Sequence, residues 1–100
     1  MAMVLTILEA TVAAERTADL QAAFRGAAGH PPPGLIRSHL VSAAAEPTRW
    51  RIETLWMSRE ALAAMRQTGT PAGVLMFRAA GAEPSLSVYD VVATIESRPA

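Results

Sequence analysis

Two stretches near opposite ends of this chain are apolar on both parities: MVLTILEATV at residues 3–12 and EPSLSVYDVVATI at residues 83–95. In the first, Leu5 and Ile7 fall on one side of an extended backbone, and Val4, Leu8 and Val12 on the other. A strand of that kind has to be buried on both faces. One hundred residues provide material for one domain, spanning 1–100, so its sheet needs two covers, and helices can supply only one of them.

The intervening sequence supplies those helices. In AAERTADLQAAFRGAAG, Leu20, Ala23, Phe24 and Ala27 form a stripe at helical spacing. Gly29 and the run Pro31–Pro33 end that helix. GLIRSHLVS (34–42) and TRWRIETLW (48–56) are expected strands, joined by a turn at AAAEP. Ser58 is placed to cap a helix over REALAAMRQ, with Glu60 at its positive end. TGTPAG interrupts, VLMFRAAGA adds a further helical turn or two, and the last strand closes the chain. The order strand, helix, strand, strand, helix, strand predicts an α+β, ferredoxin-like β-α-β-β-α-β fold, a four-stranded antiparallel sheet with helices on one face. The second face is expected to bury itself against another copy, as a symmetric homodimer.

Charge and composition exclude several functions. Nine arginines balance nine acids, so no basic stretch is dense enough to follow nucleic acid or an anionic membrane. No lysine is present to form a Schiff base. No cysteine is present, which removes disulfides, thiolate nucleophiles and zinc–thiolate sites. Two histidines do not make a metal site without convergent carboxylates. The N-terminal run lacks a basic leader, carries Glu9 and reads as a strand, and a cytoplasmic location is expected.

The apolar first strand, PPPGLIRSHLV, the Trp-x-Ser-x-Glu-Ala joint in LWMSREAL and the closing AEPSLSVYDVV together resemble the antibiotic biosynthesis monooxygenase family, within the dimeric α+β barrel group. That resemblance implies a secondary-metabolism oxidoreductase acting on an aromatic or polyketide-like phenol or enol with neither metal nor organic cofactor. The substrate loses a proton, its anion passes an electron to oxygen, and the radical pair recombines toward a quinone. The chain departs from the family pattern in places. Met65 stands where a histidine is frequent, Ile52 where oxygenating relatives carry an amide, and Leu62 near a phenolic position; Ala64 stands where haem-degrading relatives carry tryptophan.

A turn at AAEP that sets the register predicts His39 opposite Ile52, Arg37 opposite Thr54, and Leu35 opposite Trp56. Arg37 and His39 then share a face with Trp50, Thr54 and Trp56, under the helices where the resemblance places the pocket. His39 is the acid–base candidate, because histidine alone titrates near neutrality unperturbed. Arg37 is the candidate to stabilise a phenolate or enolate. Trp56 and Trp50 are candidates to stack on a flat substrate, Thr54 shares their face, and Tyr89 is a candidate hydrogen-bond donor. The alternatives are structural: a hydrogen-bonded His39, an Arg37 paired with Glu53, Glu9 or a partner chain, and Tyr89 as filler of the sheet interface. A slip of one residue turns Arg37 and His39 to the other face. A cyclase or isomerase working by proton transfer, and a non-catalytic dimeric binding domain, are the competing functions.

Overall fold

The computed structural model describes residues 2–97. Four strands, β1 (Val4–Thr11), β2 (Leu35–Ser42), β3 (Arg49–Trp56) and β4 (Ser85–Asp90), form one antiparallel sheet in the order β2-β3-β1-β4. Three helices accompany it: α1 (Thr17–Ala27), α2 (Arg59–Gln67) and α3 (Ala72–Ala79). This is the expected ferredoxin-like order, with the segment after α2 drawn out into a helix of its own. β1 lies in the centre of the sheet, as its two-sided apolar pattern demands. β4 is shorter than expected: it ends at Asp90, and the apolar residues Val92 and Ile95 beyond it are exposed.

Local chemistry sets the helix ends. The Ser58 side chain accepts a hydrogen bond from the Ala61 amide at 3.1 Å, closing α2 with the expected cap. The start of α1 has no side-chain cap and follows a 3₁₀ turn at Ala14–Arg16. Arg16 instead donates to Asp19 at 2.8 Å and to the Ala79 carbonyl at 2.6 Å, tying the first turn of α1 to the last of α3. Arg59 donates to both carboxylate oxygens of Asp90 at 2.6 Å, holding the start of α2 against the end of β4.

The register of β2 on β3 differs from the expected one. Only Leu35 opposite Trp56 is retained. From Arg37 onward the pairs run Arg37–Leu55, Ser38–Thr54, His39–Glu53 and Leu40–Ile52. The cause lies at both ends of β2. The hairpin closes with Ala43 donating to the Arg49 carbonyl at 2.9 Å, one residue further out than a turn over AAEP requires. An irregularity between Leu35 and Arg37 then absorbs the extra residue, Ile36, as a bulge in an edge strand. The bulge reverses parity, so that Leu35 and Ser38 both face the helices while Arg37 and His39 turn away.

Gly34 precedes the bulge with φ of +84°, and a Cβ there would sit 2.4 Å from the Ala61 Cβ. Glycine is needed for the backbone angle and for the closeness of α2. The buried core divides into two clusters. Leu8, Val12, Leu20, Ile52, Phe77 and Ala80 form the larger, and Val4, Trp56 and Leu62 the smaller.

Candidate functional site

Members of both clusters line a single cavity of about 350 Å³ between the sheet and the helices. Leu8, Ile52 and Trp56 form part of its floor, with Leu62 and Met65 of α2, Phe24 of α1, and Gly73 and Val74 of α3 around it. Size and lining fall in the range of small-ligand sites. Exposed members of the lining (Ala28, His30, Pro31, Arg66, Ala72 and Leu86) lie at the rim.

Trp56 is 3% exposed, and its indole Nε1–H donates to Thr6 Oγ1 at 3.1 Å. The strand places the indole at the cavity wall, and the hydrogen bond fixes its plane. Thr54 lies directly opposite Thr6 on β1 and opposite Ser38 on β2. Ser38 Oγ and Thr54 Oγ1 are 2.8 Å apart and share a hydrogen bond. Three hydroxyls from three adjacent strands thus cross the floor in a row. Among the described lining residues only His30 and Arg66 ionise, and none is a carboxylate.

Of the residues singled out in the sequence, Trp56 and Thr54 line this cavity and the others do not. Arg37 and His39 are exposed on the helix-free face, a consequence of the bulge. Tyr89, 54% exposed, pairs with Leu5 on that same face and is a surface residue of the protomer. Trp50 does face the helices, but it packs beside the larger cluster at the far end of β3, where its buried Nε1–H finds no partner among the described residues. Glu9 also lies outside the cavity. It accepts from Arg51 across the sheet, and that hydrogen bond holds the Glu9 carboxyl below its usual range and raises the guanidinium. Arg78 pairs with Glu83 at 2.9 Å, which lowers the Glu83 carboxyl likewise.

Thr6, Ser38 and Arg66 are lining residues that the sequence reading did not single out, and His30, whose place before three prolines reads as a solvated loop position, is exposed at the rim. Thr6 carries a legible signal: it is a hydroxyl on the inward row of β1, between Val4 and Leu8. Ser38 carries none without the bulge. Of the four positions that depart from the family pattern, Ile52, Leu62 and Met65 line the cavity, and Ala64 is exposed outside it.

The family model for antibiotic biosynthesis monooxygenases matches residues 3–72. The chain belongs to that family. Its fold is similar to that of a candidate antibiotic biosynthesis monooxygenase from Nitrosomonas europaea, with a TM-score of 0.72, 21% identity and 90% of each chain covered. SnoaB from Streptomyces nogalater, a cofactor-independent oxygenase, superposes with a TM-score of 0.72 at 16% identity, covering 97% of this chain and all of that one. A candidate family member from Caulobacter crescentus gives 0.70 at 19% identity, with 92% of each chain covered. No curated protein matches the sequence. Among the described residues of this family member, no helix is long and apolar enough to cross a membrane.

Proposed function

We propose that this protein is a small-molecule enzyme that oxygenates a flat aromatic or polyketide-like phenol or enol without a metal or organic cofactor. The observation that carries the reading is the apolar cavity of about 350 Å³ walled by a hydrogen-bonded Trp56, in a chain of this family. The reaction fits what such a cavity can supply, which is desolvation, orientation and a place for developing negative charge. A substrate methylene, as its enol or phenol tautomer, loses a proton and becomes an electron-rich anion. The anion passes one electron to dioxygen, and the radical and superoxide join in a carbon–oxygen bond. The resulting peroxide takes back a proton and loses water, leaving a carbonyl. One dioxygen is consumed, and its atoms end in the quinone carbonyl and in water.

Arg37 and His39 do not reach a ligand in this cavity, so the proton acceptor passes to another group. His30, at the rim and ahead of the Pro31–Pro33 run, carries the imidazole that borders the cavity, and a neutral imidazole can accept the proton. The test is oxygen uptake with anthrone or a hydroxynaphthalene. The expected result is one dioxygen per quinone, with His30→Ala slower by roughly 10²- to 10⁴-fold. Substrate conversion with no oxygen uptake would instead establish an isomerase or cyclase. Binding without conversion would establish a binding domain.

The same reading includes a homodimer. Leu5, Ile7, Leu55 and Tyr89 form an apolar half of the helix-free face that no element among the described residues covers, and Glu9, Arg51 and Glu53 form a charged half beside it. A second copy presenting the same face supports burial of the first half and solvation of the second.

A further inference from the structure

We propose that the Thr6–Thr54–Ser38 row is a receptor for one acceptor oxygen, and that it selects aromatic ligands carrying a carbonyl, enolate or phenolate oxygen on one edge. The proposal rests on the cavity being a small-molecule site and adds the chemical group that the site recognises.

A count of hydrogens carries it. Each hydroxyl offers one hydrogen and two lone pairs. Thr6 Oγ1 is occupied as an acceptor, by the Trp56 indole at 3.1 Å, and its own hydrogen meets no acceptor among the described residues. Ser38 and Thr54 share one hydrogen across 2.8 Å, whichever of them donates. Three hydroxyls therefore leave two hydrogens unspent. Thr6 and Thr54 are each 7% exposed, and both line the cavity. Buried donors without partners are costly and are ordinarily satisfied, so these two need an acceptor that comes from outside the chain. Water serves when the cavity is empty, and a ligand that displaces it must offer an equal acceptor.

Thr6 and Thr54 are directly opposed on neighbouring strands, which sets their Cβ atoms about 5 Å apart. One oxygen lodged between them can take both hydrogens. When Ser38 donates to Thr54, the Thr54 hydrogen is freed for the ligand and polarised by the bond behind it. Ser38 is thus a positioning residue, and Thr6 and Thr54 are the binding pair. No carboxylate borders the cavity among the described residues, and Arg66 stands at the rim, so negative charge on the bound oxygen meets no repulsion.

The probes are 1-tetralone and tetralin, which share a shape and differ in one carbonyl oxygen. Their dissociation constants are read from the Trp56 indole N–H resonance. The expected result is that Thr54→Val lowers the preference for the ketone by roughly two- to ten-fold, the range of a single hydrogen bond. Tetralin affinity stays within about twofold and Thr54→Ser retains the preference. An unchanged preference in Thr54→Val, with both probes bound, overturns the receptor and leaves the cavity reading standing. Failure of both probes to bind the wild-type protein overturns both. A measurement that needs no variant is the carbonyl stretch of bound 1-tetralone. It falls below its value in alkane if the row donates, and an unshifted band overturns the proposal.

Discussion

Gly34→Ala tests how tightly the joint between β2 and α2 is built. At φ of +84° an alanine carries a left-handed penalty of about 1–2 kcal/mol. Its Cβ would also lie 2.4 Å from the Ala61 Cβ, where two methyl carbons rest at about 3.5–4.0 Å. Relieving that overlap requires a shift of α2 or β2, at the overpacking cost of about 1–3 kcal/mol. The expected loss is about 2–5 kcal/mol, out of a total of about 5–15 kcal/mol for a chain of this size. In a thermal melt followed by circular dichroism, that is a fall of at least about 8 °C. Ala61→Gly separates the two contributions. Alone it costs up to about 1 kcal/mol in helix propensity. In the double variant it should recover the overlap and leave the backbone strain, so the two changes together cost less than their sum. A single Gly34→Ala variant within about 0.5 kcal/mol of wild type, the range of an ordinary surface change, or strict additivity in the cycle, would refute the geometry.

Other expectations follow from the same placements. Glu9 and Glu83 are lowered by their arginine partners, so the native state favours their charged forms. Their contribution is present above the ordinary carboxylate value of 4.5 and is lost as pH falls through the depressed native values. Urea midpoints should therefore decline below about pH 4.5, and Glu9→Gln should flatten its share of that slope. Arg37→Ala and His39→Ala should leave small-molecule affinity within about twofold, because neither side chain borders the cavity; a larger loss would show that their face takes part in binding. Ile7→Glu places a charge in the apolar half of the helix-free face, and sedimentation should show the monomer fraction rising. An unchanged association state would remove the case for pairing through that face.

The parts of this fold that were legible in the sequence are those decided by local chemistry. Ser58 announces the start of α2 because a hydroxyl before an amphipathic run satisfies free amides. β1 announces its central place through residues that are apolar on both parities. The β2–β3 register was not legible, since it depends on how the hairpin closes and on whether Ile36 is absorbed, and neither choice leaves a mark in residue type. That single unmarked residue decides which side chains meet the cavity. On the helix-covered face it exchanges Arg37 and His39 for Ser38 and Leu40, of which Ser38 borders the cavity beside Thr54 while Leu40 packs against the larger core cluster. Trp56 escaped the exchange because it sits on β3, beyond the bulge and directly before the Ser58 cap. Thr54 escaped because its parity is set by β3 alone.

The division of the core into two apolar groups means that this protein folds around an interior it does not finish. Under the function proposed above, a guest molecule would supply the missing contacts, so occupancy and resistance to heat would rise together. At one hundred times its dissociation constant, a guest adds about 2.7 kcal/mol to the folded state. A simple melting screen of candidate compounds is therefore a direct test of the proposed reading, and the compound that raises the transition most is the one whose shape best fills the cavity.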